Sequence, residues 1–254
     1  MRTSEGDRGV QIQHAAKRGG KLAQYQELVV GSTSIWYLIK FELITLFITR
    51  IPGALGIVLR KFLYPTLFKK VGHGVVFGAD VWFRHPGKIE IGAQSIIDDG
   101  VMLDAKGREN RGIVIGAGCY VGRGTVLSCK DGDITLGDGA NLSTWCNVSS
   151  NSSIVIGKKT LMGPHSNIFA TTHNFDDVTV PILDQGWSSV GVTVGDDCWL
   201  GSGVSVVDGV TIGSHTVVGS GSVVVKDLPE KVVAVGAPAK VVRERGKTEG
   251  AEPV

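Results

Sequence analysis

The chain has few aromatic residues and almost no net charge. Phe, Trp and Tyr together make up 7% of its 254 residues. Lys and Arg number 26 against 24 Asp and Glu, a formal balance of +2. So small a balance gives no global case for a nucleic-acid partner. The four cysteines, Cys119, Cys129, Cys146 and Cys198, include no CxxC pair. No zinc site or redox dithiol is indicated, and dispersed thiols fit small core fillers in a reducing cytosol. Met1 to Gly20 lacks the apolar core of a secretion signal. At 43% apolar the chain is too hydrophobic for disorder.

Glycine is abundant instead: 36 of 254 residues, or 14%, about twice the ordinary ~7%. It has no every-third period, which excludes collagen. Glycine together with many Val and Ile points to short strands joined by tight corners. From residue 71 a repeat appears. Val194, Leu200, Val206, Ile212, Val218 and Val224 are spaced by six without a gap. The same spacing links Ile156, Met162 and Ile168; Leu136, Leu142 and Val148; and Ile115, Val121 and Leu127. It also links Ile91, Ile97 and Leu103, and Val71, Phe77 and Phe83. The residue after the first position of each triplet is Gly in all seven triplets; after the third it never is. The unit is therefore an eighteen-residue triangular coil with three unequal faces, each apolar position pointing inward. Between triplets the excess over six residues is 2, 6, 3, 2, 20 and 0, always after the third face. All loops leave one edge of the prism. The longest, 169–192, combines His173 with Asn, Asp, Phe and Trp, and is where a solenoid would place function.

At these residues the sequence resembles the hexapeptide-repeat acyltransferases. It is most similar to the galactoside and maltose O-acetyltransferases and to O-acetyltransferases of polysaccharide clusters. The resemblance covers roughly residues 71–245 and is strongest in IGSHTVVGSGSVVVKDLPEKVVAVGAPAKVVRER, residues 212–245. It implies an all-β fold: a left-handed parallel β-helix of about seven triangular coils with a short C-terminal tail, 246–254. The left hand comes from the resemblance alone, since the spacing does not show it. A γ-class carbonic anhydrase shares the repeat but needs three His ligands with two close together. Here His165 and His173 stand eight apart with no other His nearby. A sugar nucleotidyltransferase needs a nucleotide-binding domain for which the first 70 residues are too short.

Acetyl transfer from a thioester to a hydroxyl needs a base, an oxyanion donor and a groove for coenzyme A. Histidine is the usual base because an unperturbed imidazole titrates near neutrality. The resemblance assigns that role to His173 in TTHNF, with Asn174, Asp176 or Asp177 as candidates to orient it. It places Trp199, Gly201, Ser202, Ser220, Lys226, Lys240 and Arg243 along the acetyl-CoA groove. Ser202 faces the thioester there, Ser220 and Lys226 lie along the pantetheine groove, and Lys240 and Arg243 face the nucleotide phosphates. The family often has Arg where Lys240 stands and Thr where Val225 stands. A lysine keeps the charge but loses bidentate phosphate binding. The galactoside enzymes carry Asn thirty and twenty-eight residues before the base; here those positions are Ser143 and Trp145. The acceptor therefore differs from a simple galactoside, with Ser143, Trp145, Asn174 and Asp176 as candidate contacts. His165 is read as structural, and His73, His85 and His215 as surface or corner residues. No metal is required.

Ahead of the repeat lie a polar, basic segment, 1–33, read as loosely ordered at first, and two apolar stretches, 34–50 and 54–70, separated by Pro52-Gly53. The stretches predict a helical hairpin over 34–70. The first has about 14 apolar-rich residues, short of the ~20 that span a bilayer. Residues 1–72 carry 11 basic and 4 acidic residues, net +7, while residues 73–254 carry 15 and 20, net −5. The hairpin reads as a cap on the open end of the β-helix, or alternatively as a peripheral membrane contact beside Arg50, Arg60, Lys61, Lys69 and Lys70. The expectation is a cytoplasmic, homotrimeric acetyl-CoA-dependent O-acetyltransferase of a saccharide hydroxyl, in surface polysaccharide synthesis. The alternatives are N-acetylation of an amino or nucleotide sugar, and a non-catalytic trimeric sugar-binding scaffold.

Overall fold

The computed structural model describes residues 2–4 and 20–246. Most of these form a triangular parallel β-solenoid. The first face stacks seven strands, from Lys70–Val71 to Thr211–Ile212. The third stacks seven, from Trp82–Arg84 to Val223–Val224. The second begins with Val76–Phe77 and runs through Val217–Val218 to Val232–Gly236, with Ala239–Glu244 folded back antiparallel at its end. Leu228 bridges Ile212, and Ala234 pairs with Val218. Seven complete coils are thus followed by a partial eighth. The architecture is consistent with the left hand implied by the resemblance.

The pairing follows the six-residue spacing. Phe83, Leu103, Leu127, Val148, Ile168, Val206 and Val224 are partners in unbroken register along the third face. Of the 21 inward positions, 20 are buried, and Val71 is half-buried at the end of the stack. Burial of about 20 aliphatic side chains at ~1.5–3 kcal/mol each supplies the driving force. The four cysteines are buried and unpaired, filling the core beside these stacks, and burial pushes their thiols up.

The glycines that follow the first face are there for close approach. A Cβ on Gly92 would lie 2.4 Å from the carbonyl carbon of Gly116 in the next coil, and one on Gly157 would lie 2.4 Å from Gly195. Neither has a positive φ. The sharp turns fall elsewhere, at residues such as Gly118 and Gly203 with φ of 64° and 69°.

The predicted hairpin is present. Helix α1, Lys21–Tyr25, runs on as a π-helical turn, Gln26–Val30. Helix α2, Ile35–Phe47, starts at Ser34, whose hydroxyl accepts from the Tyr37 amide. Helix α3, Gly53–Leu63, follows Pro52. The helices close the open end of the prism. Tyr64, Phe68, Phe77 and Phe83 pack with ring centroids 5.0–6.3 Å apart, and Phe41 of α2 joins them 5.8 Å from Phe83. The scarce aromatics are concentrated where the end is wide enough for rings.

The helix over 21–30 lies inside the segment read as polar and loosely ordered. Val30 is buried, and His85 holds the turn through Nε2 and the Glu27 carbonyl at 2.7 Å. His85 does occupy a corner, with φ of 50°, yet it is only 7% exposed, so the surface reading fails there. Arg2–Ser4 also forms a strand, paired with Trp187–Ser189 of the long loop. The remaining readings for residues 5–19 and 247–254 lie outside the described residues.

Candidate active site

The long loop leaves the prism after Asn167–Ala170 and returns at Val192–Val194. Its root is tied to the prism. The Ser189 hydroxyl donates to the Ala170 carbonyl at 2.5 Å, and Asp208 of the next coil accepts from the amides of Val190 and Gly191. Thr172–His173 pairs antiparallel with the strand Trp187–Ser189. His173 therefore stands on a short ladder rather than on free loop. Its direct partner is Trp187, and opposed residues in an antiparallel pair project to the same side. His173 is exposed, and among the described residues its ring forms no hydrogen bond.

Two of the three candidate orienting groups are otherwise engaged. Asn174 donates from Nδ2 to the Gln185 carbonyl at 2.9 Å, and its amide donates to Gly186. Asp177 accepts from the amide and hydroxyl of Thr179 at 2.8 and 2.6 Å, which holds its carboxyl below the usual range. Asp176 is exposed. Asn174 and Asp177 thus shape the loop, and neither bonds to the imidazole.

The groove candidates fall on different parts of the prism. Gly203 donates to the Pro164 carbonyl and Gly221 to that of Ser202, each at 2.8 Å. His165 likewise donates to Thr144, and Trp145 to Arg123. These bonds make one column along the edge between the second and third faces. Ser202 and Ser220 are exposed in adjacent coils of that column, and Ser143, Trp145 and His165 lie in the coils before them. Trp145 has φ of 58° and is 54% exposed, with its ring lying over Gly124. Trp199 is on the second face and is exposed. Lys240 and Arg243 are in the terminal antiparallel strand of that face. Arg243 keeps a buried Nε donor that has no partner among the described residues. Lys226 follows the third face, on the same edge as the long loop.

Within one chain, His173 and Ser202 are therefore separated by the width of the third face. A cavity of about 580 Å³ lies elsewhere, beside Gln26, Glu27, Ser32, His85, Lys88 and Arg108 at the capped end. Among the described residues, no group of three His, Cys, Asp or Glu side chains is placed to hold a metal.

Residues 191–226 match the family model described as bacterial transferase hexapeptide (six repeats). That match spans 36 of the chain's 254 residues, across the last two complete coils. Two relatives and one solved structure illustrate the range of similarity. A Mycobacterium tuberculosis protein named as an acetyltransferase is 34% identical over 131 residues, which are 52% of this chain and 44% of that relative. An Escherichia coli protein named for O-acetyl transfer in lipopolysaccharide biosynthesis, WbbJ, is 29% identical over 172 residues, 64% of this chain and 75% of the relative. The chain thus spans less than half of the first relative. The polysialic acid O-acetyltransferase OatWY has a similar fold, at a TM-score of 0.58 and 19% identity, covering 72% of this chain and 92% of that one.

Sequence reasoning missed Trp187 beside His173 and Asp208 beneath the loop. Both contacts join segments well separated along the chain. The single sequence signal near Trp187 is Gly186, which precedes its strand and has φ of 76°.

Proposed function

We propose that the chain is an acetyl-CoA-dependent O-acetyltransferase of a saccharide hydroxyl, acting in surface polysaccharide synthesis in the cytoplasm. One observation carries the reading: a hexapeptide prism extends a single long loop and sets an exposed His173 on a braced ladder at its root. The names of the relatives support acyl transfer, and WbbJ supports a polysaccharide acceptor. His173 takes the hydroxyl proton as the oxygen bonds to the acetyl carbon. It returns that proton to the thiolate sulfur as the carbon–sulfur bond breaks. No covalent enzyme intermediate is needed. Ser202 is the candidate donor to the oxyanion, Lys226 is the candidate along the pantetheine groove, and Lys240 and Arg243 are the candidate cations for the phosphates.

The separation of His173 from Ser202 favours a site completed by a second copy. The loop edge of one chain would face the serine column of the next in a homotrimer. Phe175, Val178, Ile182 and Leu183 of the loop are each more than half exposed, as expected of a segment covered by a neighbour.

His173→Ala should lower kcat/KM by about 10²–10⁴-fold, the usual worth of a general base. The thermal midpoint and oligomeric state should not change. Full activity in this variant overturns the assignment. Calorimetric titration with acetyl-CoA tests the alternative of a non-catalytic scaffold, which requires no binding. A screen of sugars, nucleotide sugars, lipid-linked sugars and amines separates O- from N-acetylation.

A further inference from the structure

The helical cap has a second apolar face that nothing among the described residues covers. Leu38, Phe41 and Ile44 of α2 are buried against the prism. At 100° per residue, Ile35, Trp36, Ile39, Leu43, Leu46 and Phe47 fall on the opposite side. All are exposed, Trp36 by 78%, Leu46 by 70% and Phe47 by 61%. In α3, Gly56 and Arg60 face inward, while Leu55, Val58 and Phe62 are 50–68% exposed on the far side. An apolar outer face this extensive is not a scatter of single residues.

We propose that this face docks on an anionic membrane surface, with α2 and α3 lying in the interface. Charge favours that occupant. Residues 20–70 carry seven Lys and Arg against Glu27 and Glu42; Arg60 is buried and Arg50 and Lys69 pair with Asp80 and Glu90 of the prism, which leaves Lys21, Lys40, Lys61 and Lys70 against the two glutamates, net +2. Lys61 and Lys70 are exposed at the border of the face. A second copy of the same face would bring positive charge against positive charge, whereas anionic headgroups neutralise it. Trp36 has the side chain expected at a headgroup boundary.

Spanning is excluded by the same contacts. No single helix among the described residues is long and apolar enough to cross, although the bent pair Lys21–Val30 and Ile35–Phe47, at 65°, has the composition. Both members are already held: Val30 and Glu27 against the first coil through His85, and Phe41 against Phe83. Thirteen residues of α2 reach only about 20 Å against a core of ~30 Å. The helices therefore lie on the bilayer with one side still packed on the protein. This docking does not depend on the catalytic reading.

The test is flotation of the full chain with vesicles of phosphatidylglycerol and phosphatidylcholine, or of phosphatidylcholine alone. Binding is expected to the anionic vesicles and to weaken in 0.5 M salt. Lys61→Glu with Lys70→Glu should reduce it at least tenfold, since each lysine near such a surface is worth about fivefold. Leu43→Gln with Leu46→Gln should abolish it while leaving the thermal midpoint in place, because both side chains are exposed. Should that apolar pair disturb folding, the charge reversal alone decides. Absence of binding to anionic vesicles overturns the proposal, as does binding indifferent to the charge reversal. So does a larger oligomer that the Leu43/Leu46 pair dissolves, which would assign the face to a second copy.

Discussion

Gly157 occupies a position where a side chain has no room. Its Cβ would lie 2.4 Å from the backbone of Gly195, and neither strand can retreat without breaking the register of the coils on both sides. Gly157→Ala should destabilise by about 1–3 kcal/mol, the cost of overpacking. Each kcal/mol lowers the thermal midpoint of a chain this size by roughly 2–4 °C. Gly118 is the control: it has φ of 64° and nothing within 4 Å of its Cβ position, so Gly118→Asn should cost under about 1 kcal/mol. An equal loss at both sites would mean that conformational freedom, not space, selects glycine after the first face. The spacing of glycines was fully legible in the sequence; their two separate roles were not, because close approach depends on the coil above. The same limit applies at the site. TTHNF marked His173, yet its partner Trp187 lies fourteen positions further on, across a hairpin that no local pattern announces.

Among the elements, the cap was foreseen from its apolar runs and the Pro52 break, but the means of attachment were not. Arg60 is 1% exposed and donates from Nε to the Phe77 carbonyl at 3.0 Å and from Nη1 to those of Ile48 and Ile51. A guanidinium at the C-terminal end of α2 also suits the helix dipole. Arg60→Met removes the guanidinium from the Phe77 and Ile51 carbonyls, while that of Ile48 keeps the Ile51 amide; it should cost about 2–4 kcal/mol, with faster hydrogen exchange over 35–63 than over the later coils. Uniform acceleration would show that the cap and prism unfold as one unit. His85 gives the attachment of 21–30 a pH dependence. Burial pushes its pKa below the ordinary value, opposed by the Glu27 carbonyl, with Lys88 and Lys106 lowering it and Asp104 raising it. The native state therefore binds fewer protons than the unfolded one. Its stabilising contribution is complete above the unfolded pKa of about 6.5 and is lost as pH falls through the lower native value. Exchange protection over 20–34, corrected for intrinsic rates, should drop between pH 7.5 and 5.5, and His85→Gln should flatten that drop. A slope unchanged in the variant would assign it to other groups.

For the whole molecule, the repeat in the sequence predicted the prism, its loop edge and its inward residues, because one periodic pattern sets all three. The catalytic candidates sit on two edges of one chain. That arrangement gives the trimer proposal a quantitative consequence. Cyclic symmetry presents the loop edge of each copy to the serine edge of the next, and holds all three helical caps at one height along the axis, where they can meet a single membrane together. Consider His173→Ala, which removes the base, and Ser202→Glu, which puts a bulky anion in the groove. Each homotrimer should be inactive. Co-expressed in equal amounts, the two chains assemble at random. A site that takes its loop from a Ser202→Glu chain and its groove from a His173→Ala chain has both parts intact, which happens at about one interface in four. Mixed trimers should therefore recover about a quarter of the wild-type activity per site. A site built within one chain predicts no recovery, since every copy then carries one defect, and the same null result would follow if the subunits did not associate through these edges. Sizing the mixture by mass separates those two failures: intact mixed trimers without activity would place base and groove in the same chain, while monomers would remove the oligomer itself.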